Sequence, residues 1–200
     1  DAPTVYSGDF VSPEQIIPPN GLVDEKGRPL VWEACITMNN NWGYAAKDRN
    51  FKPASTIIKK LVECVSKGGN MLLNVGPDAR GNIPEESVEI LKEIGAWMRK
   101  NGESIIGCGM SGLPKPENGR ITKKGNTLYY HIMEPAIGSI PLYGVSHNEV
   151  RALRLLADGS ELKPAQSWMV SNYPDIVFVD VSASPELPDA VDTVVRIECR

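Results

Sequence analysis

Histidine, cysteine and aromatic residues are scarce in this chain. Its 200 residues include two histidines, four cysteines and 6% aromatic residues, and no two cysteines form a CxxC pair. Scattered cysteines are more often packed as small apolar side chains than bound to a metal, so we predict unpaired cysteines and no cysteine-based metal site. The two histidines, His131 and His147, are expected on the surface or in an interface.

A strong excess of charge is also missing. Lysine and arginine number 21, and aspartate and glutamate number 25, which gives a net charge of −4. The sequence has no basic stripe of the kind that binds nucleic acid and no charge block typical of a disordered tail. No apolar run approaches the roughly 18 residues that a membrane-spanning helix needs. The predicted partners therefore include neither nucleic acid nor a membrane.

The chain begins at Asp1, without a methionine or an apolar leader. We therefore expect a processed product or an excised piece, whose targeting signal cannot be judged from these residues. A periplasmic, secreted or lysosome-like compartment is compatible with the sequence, and no oligomeric state is predicted. The length permits one large domain or two small ones.

Up to about residue 107, the chain alternates helical periodicity with short apolar runs. Residues Ser55–Lys67 place their apolar side chains on one face, with Ser55 as the expected N-cap. Met71–Val75 is a near-continuous apolar run, typical of a strand that is covered on both faces. A second helix is predicted from about Pro84, after a turn-rich segment. Helix, buried strand, loop and helix form the repeating unit of a barrel or a doubly wound sheet.

After residue 107, the pattern changes to short strands separated by turns. Glycine and proline cluster between Gly107 and Gly119, which indicates a linker or a loop. Regularly spaced short strands without a convincing helix predict a β-sandwich. The strands are expected at Leu128–Ile132, Val150–Leu156, Ile176–Val179 and Val194–Ile197.

Three blocks in the first half combine carboxylates, tryptophans and loops that follow strand-like runs. They are Gly8–Gln15, Trp32–Tyr44 and Ser66–Pro77. Aromatic faces and apolar edges bind a pyranose ring, while a pair of acids performs the protonation and the nucleophilic attack of glycoside cleavage. These residue types therefore point to a site that cleaves sugars.

The three blocks, in this order and spacing, closely resemble the signature of the retaining α-L-fucosidases, a family of glycoside hydrolases. The match covers nearly all of residues 8–107, while the second half matches only in position and type. It rests on WE…TMNNNWGY at residues 32–44, SKGGNMLLNVGPDARGNIP at 66–84 and IGAWMRKNGESI at 94–105.

The resemblance implies a fold, a reaction and a substrate. The predicted fold class is α/β plus all-β: residues 1–107 form the C-terminal segment of an incomplete (β/α) catalytic barrel, and residues 108–200 form an antiparallel β-sandwich. The implied reaction is double displacement with retention of configuration, with no metal and no organic cofactor. The implied substrate is a terminal α-L-fucose on an oligosaccharide or glycoconjugate.

Individual roles follow from the same resemblance. Glu14 matches the position of the family's general acid/base, and Trp42 matches an aromatic residue that packs on the C5 methyl and apolar edge of fucose. Trp32 and Glu33 fall in the block that lines or supports the pocket, Trp32 as a substrate-binding residue and Glu33 as a support. The nucleophilic aspartate and a histidine-rich part of the pocket belong to a block upstream of Asp1, so the isolated chain is predicted to be inactive.

Each assignment competes with a structural one. Glu14 can be a solvated turn acid, Glu33 can hold a loop by hydrogen bonds, and Trp42 can belong to the core. The glycines of Ser66–Pro77 are more typical of a helix end than of a phosphate loop. Asp9 is rejected as the second carboxylate, because it shares one short segment with Glu14 and cannot easily flank a sugar from the opposite side.

Two rival functions remain open at this point. One is a non-catalytic glycan-binding module, which would need several exposed aromatic residues in the sandwich. The other is an inert structural fragment, which would show neither sugar affinity nor activity. The aromatic residues available to a binding module are Tyr129, Tyr130, Tyr143, Trp168 and Tyr173.

Overall fold

The computed structural model describes residues 8–166, 168, 170–184 and 186–200. Its residues group into two compact units, the first ending at Ala96 and the second beginning at Trp97. Residues 1–7, which the predicted first domain includes, lie outside the described residues. The predicted domain boundary at residues 107 and 108 stays a prediction.

The described chain contains two α-helices, two short 3-10 helices and ten strands. The helices are α1 (Ala54–Ser66) and α2 (Glu85–Asn101), and the 3-10 helices are Gly102–Ser104 and Val170–Asn172. The strands are β1 (Glu33–Thr37), β2 (Asn70–Asn74), β3 (Gly109–Met110), β4 (Gly119–Lys124), β5 (Thr127–Ile132), β6 (Ile140–Tyr143), β7 (Val150–Leu155), β8 (Glu161–Leu162), β9 (Ile176–Val179) and β10 (Thr193–Cys199). Neither α-helix of the described residues is long and apolar enough to cross a membrane.

The first unit is built on neighbouring parallel segments. β1 and β2 pair in parallel, from Glu33 opposite Asn70 to Thr37 opposite Asn74. Residues 11–14 run parallel to β1 on its other side, through bridges at Val11 and Glu14. Since α1 lies between β1 and β2 in the chain, the three elements form a βαβ unit.

Helix α1 forms where the apolar periodicity predicts it, but it begins differently. Ile57, Ile58, Val62 and Val65 are buried on one face, as expected for an amphipathic helix. The N-cap residue is Pro53, which makes no side-chain cap, so the prediction that Ser55 caps the helix is wrong. Proline fixes its own φ near the value that a helix start requires and needs no donor there.

Strand β2 is covered on one face in the described chain. Ala34 and Ile36 of β1 pack with Trp32 and with Cys64 of α1. Leu72 of β2 pairs with a residue on the opposite face of β1 and is 49% exposed. The prediction of a strand buried on both faces is therefore wrong for these residues, because α1 covers only the other face.

The second unit is antiparallel. Strands β3, β4, β5, β10, β7 and β8 form one sheet in that order, and β6 pairs with β9 in a second sheet. Both sheets contribute to one apolar core, which includes Tyr130 of β5, Leu142 of β6, Val177 of β9 and Val195 of β10. All four strands expected from the sequence are present, with bounds shifted by one or two residues at most.

Candidate active site

The candidate site lies at one edge of the first unit's sheet. Residues 11–14, β1 and β2 are parallel, so their carboxyl ends meet at the same edge. Glu14 ends the first segment, the loop that contains Trp42 follows β1, and Asn74 ends β2. Carboxyl ends of parallel strands are where α/β folds place their catalytic side chains, because the loops there are free to carry function.

Glu14 and Trp42 are in direct contact, although 28 residues separate them. The indole Nε1–H of Trp42 donates a hydrogen bond of 3.0 Å to Oε1 of Glu14. Both side chains are exposed, and 40% of the Trp42 surface remains open. The pair thus combines one carboxylate, of the two acids that sugar cleavage requires, with an accessible aromatic surface on which a sugar can pack.

The loop that carries Trp42 is held against the end of β2. Asn74 Nδ2 donates a hydrogen bond of 2.7 Å to the Trp42 carbonyl. Gly76 lets the two loops approach, since a Cβ there would lie 2.7 Å from the Gly43 carbonyl carbon and 2.9 Å from the Tyr44 nitrogen. A larger residue at position 76 would displace the loop, and with it the indole.

Asp48 closes the same loop on itself. Its carboxylate accepts hydrogen bonds from the backbone nitrogens of Asn40 and Asn50, at 2.9 and 3.0 Å, and from Nδ2 of Asn41 at 2.7 Å. These hydrogen bonds, led by the one from the Asn50 backbone, lower the pKa of Asp48. Asp48 is therefore a structural acid that stays ionised and shapes the loop.

A second set of hydrogen bonds joins Gln15, the residue after Glu14, to the end of β1. Gln15 Nε2 donates to Thr37 Oγ1 at 2.9 Å, and Lys52 Nζ donates to the carbonyls of Thr37 and Asn39 at 2.8 and 3.0 Å. Gln15 has a φ of 60°, and among the described residues it is the only non-glycine with a positive φ. Such a conformation costs about 1–2 kcal/mol in an ordinary residue.

Trp32 and Glu33 lie apart from the exposed pair. Trp32 is 1% exposed, and its ring fills the space beside Gly69, where a Cβ would meet it at 2.3 Å. Glu33 is half-buried on β1, on the opposite face from Ala34. Trp32 is thus a core residue of the first unit, packed with Ala34 and Ile36 of β1 and Cys64 of α1.

A polar cavity of about 230 Å³ occupies the neighbouring surface of the same unit, and its lining does not include Glu14 or Trp42. It is lined among others by Tyr44, Asp48, Asp78 and Glu86. Backbone hydrogen bonds from Asn82 and Arg80 lower the pKa of Asp78, and Glu86 pairs with Arg49. These acids are engaged in holding loops. Across the described residues, no group of three acids, histidines or cysteines is placed to hold a metal.

A second carboxylate and ring nitrogen meet inside the antiparallel unit. His131 Nδ1 lies 2.7 Å from Asp192 Oδ2, and its Nε2 lies 3.2 Å from Thr122 Oγ1. Threonine, histidine and aspartate in a row are the residue types of a nucleophile, a base and an orienting acid. Both ring and carboxylate are 0% exposed, however, so no substrate can reach them. The expectation that His131 lies on the surface or in an interface is therefore wrong, since it lies in the interior of the second unit.

The aromatic residues of the second unit do not form one exposed surface. Tyr129 and Tyr130 are buried, because β5 lies inside the six-stranded sheet. Tyr143, Trp168 and Tyr173 are exposed. Two of the five residues available to a glycan-binding module are thus part of the core, which weakens that rival function.

A model of the family described as Alpha-L-fucosidase matches residues 2–103, just over half of the chain. The chain belongs to the α-L-fucosidase family. The resemblance seen in the three sequence blocks is confirmed by this match, which contains all of Gly8–Gln15, Trp32–Tyr44 and Ser66–Pro77.

Named relatives agree with the family assignment. The alpha-L-fucosidase of Dictyostelium discoideum is 45% identical over 78 residues, which is 38% of this chain and 17% of that protein. The tissue alpha-L-fucosidase of Bos taurus is 33% identical over 147 residues, which is 70% of this chain and 29% of that protein.

Solved fucosidase structures cover almost all of the chain. Alpha-L-fucosidase isoenzyme 1 from Paenibacillus thiaminolyticus superposes with a TM-score of 0.92 and 53% identity, over 98% of this chain and 46% of that one. An alpha-L-fucosidase from Bacteroides thetaiotaomicron superposes with a TM-score of 0.80 and 26% identity, over 96% of this chain and 44% of that one. The chain therefore spans less than half the length of these two relatives.

Sequence reasoning predicted Glu14 and Trp42 as site residues but did not name the residues that hold their segments in place. Asn74, Gln15 and Lys52 act through hydrogen bonds to residues 32, 22 and 15 positions away. Separations of this kind follow neither the helical nor the strand period. The signal that was available is the position of Gln15 and Asn74 at strand ends, next to the motif residues.

Proposed function

We propose that this chain is the part of a retaining α-L-fucosidase that supplies the general acid/base, Glu14. The enzyme would remove terminal α-L-fucose from oligosaccharides or glycoconjugates. The observation that carries the proposal is the exposed contact between the Glu14 carboxylate and the Trp42 indole, in a chain of the α-L-fucosidase family.

The proposal includes a fold. Residues 1–107 would form the closing segment of an irregular (β/α) barrel, and residues 108–200 would form a β-sandwich. Adjacent parallel segments with a connecting helix support the first part, since this is the repeating unit of such a barrel. Two antiparallel sheets on one core support the second part.

The proposed reaction is a double displacement. An aspartate from a part of the enzyme outside these 200 residues would attack the anomeric carbon, while Glu14 gives its proton to the leaving oxygen as the glycosidic bond breaks. The Glu14 carboxylate would then take a proton from water, and the resulting oxygen would displace the aspartate. In a retaining enzyme the two carboxyl groups lie about 5–5.5 Å apart.

A relative supports the retaining mechanism. The structure of the Bacteroides thetaiotaomicron enzyme is described as a trapped covalent intermediate in complex with 2-fluoro-fucosyl fluoride, obtained with a glutamate-to-glutamine mutant. A covalent glycosyl-enzyme is formed in retaining and not in inverting hydrolysis. We infer that the enzyme containing this chain follows the same path.

Trp42 is the proposed contact for fucose, and Trp32 a support. The accessible part of the Trp42 indole can pack on the C5 methyl and the apolar edge of the sugar. The ring of Trp32 is buried, which favours a role in holding the wall of the site over direct contact with substrate. Glu33, half-buried beside it on β1, is proposed as a supporting residue.

The test uses a chimera in which residues 8–200 replace the corresponding segment of the Paenibacillus thiaminolyticus isoenzyme, which is 53% identical to this chain. Glu14→Gln keeps the shape of the side chain and removes its proton. Rates on fucosides with poor leaving groups should fall by about 10²–10⁴-fold. Aryl fucosides with very acidic leaving groups need little protonation, so their first step should be largely spared. Azide should restore the second step, because it needs no general base.

Glu25→Gln, at an exposed carboxylate outside the three sequence blocks, is the matched control and should leave the rates on good and poor leaving groups unchanged. If Glu14→Gln slows good and poor leaving groups equally, and azide has no effect, Glu14 is a structural acid. Glu33 would then be the next carboxylate to test. The 200-residue chain alone should hydrolyse no aryl α-L-fucoside above background, and turnover abolished by a point mutation within it would contradict the assignment of the nucleophile to another segment.

A further inference from the structure

We propose that Gln15 is a positioning residue for Glu14. The strained backbone of Gln15 and the hydrogen bonds between its amide and Thr37 hold Glu14 against Trp42. The inference rests on the proposed function in giving Glu14 a catalytic role, but the placement of Glu14 can be measured without catalysis. Gln15 itself would touch neither the sugar nor the water.

The backbone at Gln15 is the first observation. A φ of 60° lies in the left-handed region, where a residue with a Cβ persists only when its surroundings determine it. The backbone pairing of this segment with β1 ends at the same place, where the Gln15 nitrogen donates to the Cys35 carbonyl at 2.8 Å. Gln15 therefore turns the chain immediately after Glu14, at the last backbone contact with β1.

The Gln15 side chain bonds to β1 beyond the last backbone hydrogen bond between the two segments. Its Nε2 donates to Thr37 Oγ1 at 2.9 Å, and its Oε1 accepts from the Thr37 nitrogen at 3.4 Å. Cys35 and Thr37 are two residues apart on β1, so the amide bonds to the next residue on the same face of the strand. The backbone and the side chain of Gln15 thus both bond to β1, which stabilises the unusual φ.

Thr37, the residue that the Gln15 amide bonds to, is itself held by further hydrogen bonds. Lys52 Nζ donates to the Thr37 carbonyl at 2.8 Å and lies 3.4 Å from Thr37 Oγ1, while the hydroxyl of Thr37 donates to the Asn39 carbonyl. The same loop that begins here carries Trp42, whose indole bonds to Glu14. Glu14 is therefore held from two directions, through Gln15 to the end of β1 and through the indole to the loop that follows β1.

The backbone around Glu14 is bracketed by one residue. Cys35 donates its backbone N–H to the Pro13 carbonyl at 3.0 Å and accepts one from Gln15, so the peptide groups on both sides of Glu14 are fixed. One of these two hydrogen bonds is made by the Gln15 N–H, so the peptide group after Glu14 stays in place only while Gln15 keeps its turn. Misplacement of a catalytic group by about 1 Å can cost up to 10²-fold in rate, so such a turn matters for function.

The first test measures the position of Glu14 in the 200-residue chain. The resonance of the Trp42 indole N–H, assigned by its loss in Trp42→Phe, should move between acidic and neutral pH, and Glu14→Gln should abolish that movement because the amide has no ionisable proton. Gln15→Met keeps the length of the side chain and removes both amide hydrogen bonds. Most of the pH-dependent movement should then be lost.

Three further variants separate positioning from general stability. Thr37→Val should mimic Gln15→Met, Thr37→Ser should keep the movement, and the double variant should do no more than either single one. Gln15→Gly removes the amide and also relieves the strain of the positive φ. It therefore reports on the Gln15–Thr37 hydrogen bonds even if Gln15→Met reduces the folded population. A full movement in Gln15→Gly with the fold intact would overturn the inference.

The kinetic arm uses the chimera described above. Gln15→Gly should lower kcat/KM for poor leaving groups roughly tenfold, with KM nearly unchanged and acidic leaving groups spared. Loss of the Trp42 movement without this leaving-group dependence would support the positioning of Glu14 by Gln15 and overturn the acid/base role of Glu14. Retention of the movement would overturn the positioning itself, whatever the kinetics.

Discussion

Each of the two units contains a carboxylate hydrogen-bonded to a ring nitrogen, but the pair is exposed in one unit and buried in the other. In the first unit, the Glu14 carboxylate receives a hydrogen bond from an aromatic ring N–H, and both partners are exposed. In the second unit, the Asp192 carboxylate lies 2.7 Å from a ring nitrogen of His131, and both partners are fully buried. Burial commits a polar pair to the fold, because each partner depends on the other for solvation. Exposure leaves the carboxylate free to exchange protons with a substrate.

The largest effect that this comparison predicts is on the buried pair. Asp192→Ala leaves His131 without its carboxylate partner in a dry site, so we expect a loss of about 3 kcal/mol in the free energy of unfolding. Hydrogen exchange of the β5 amides measures this loss in the second unit itself. Asp175→Ala, at an exposed carboxylate, is the control and should change stability little. Equal effects of the two variants would mean that burial does not set the strength of the pair.

The next effect concerns the packing of Trp32 in the core of the first unit. A Cβ at Gly69 would lie 2.3 Å from the buried Trp32 ring, so Gly69→Ala should cost about 1–3 kcal/mol through overpacking. At Gly43 a Cβ would meet nothing within 4 Å, which makes Gly43→Ala the matched control. Urea denaturation followed by tryptophan fluorescence distinguishes the two. If both are neutral, the Trp32 ring can shift, and its position is not fixed by packing.

The elements that are local in sequence were predicted well. α1 and β2 each begin and end within one residue of the expected positions. Apolar periodicity and the apolar run depend on neighbouring residues only, so the sequence is enough to locate them. The N-cap prediction failed because Pro53, two residues earlier, already fixes the helical start. Exposure of Leu72 was missed because a continuous apolar run does not say how many faces are covered.

The candidate site was predicted only in its motif residues. Glu14 and Trp42 were predicted through the family resemblance of the blocks, while their mutual hydrogen bond depends on how two loops meet. His131 was misassigned because nothing in the sequence of β5 indicates a polar partner for it. Every residue of β5 after Thr127 is buried, so the strand has no exposed face that alternates with a buried one. That partner, Asp192, lies 61 residues away on the approach to β10. Long-range polar pairs of this kind require the tertiary structure.

A carboxylate of intermediate exposure should show an intermediate effect. The side chain of Glu63 in α1 is 17% exposed and pairs with Lys67 at 2.7 Å and Lys60 at 3.0 Å. Burial alone would raise the pKa of Glu63, but the hydrogen bonds from Lys67 and Lys60 lower it to about 2. With discount for solvent screening, Glu63→Gln should cost roughly 1 kcal/mol at neutral pH.

The pH dependence gives this prediction its sign. Because the folded pKa is below the unfolded value, the stabilisation is complete above about pH 5 and is lost as the pH falls toward 2. The difference in unfolding free energy between Glu63→Gln and the parent chain should therefore shrink between those limits. Glu93→Gln, at an exposed position of α2, should show no such trend. A constant difference across this range would show that the ion pairs do not stabilise α1.

The smallest expected effect on stability belongs to Glu14, and it completes the series. Both Glu14 and Trp42 remain hydrated, so the loss of their hydrogen bond exchanges one solvated arrangement for another. Glu14→Gln and Trp42→Phe should each change the free energy of unfolding by less than about 0.5 kcal/mol. Urea denaturation of the 200-residue chain at neutral pH measures both. A loss as large as that of Asp192→Ala would place Glu14 among the residues that hold the fold, and the comparison between the two units would then fail. A near-zero change, together with the leaving-group dependence expected in the chimera, would mean that Glu14 is kept for chemistry and not for stability.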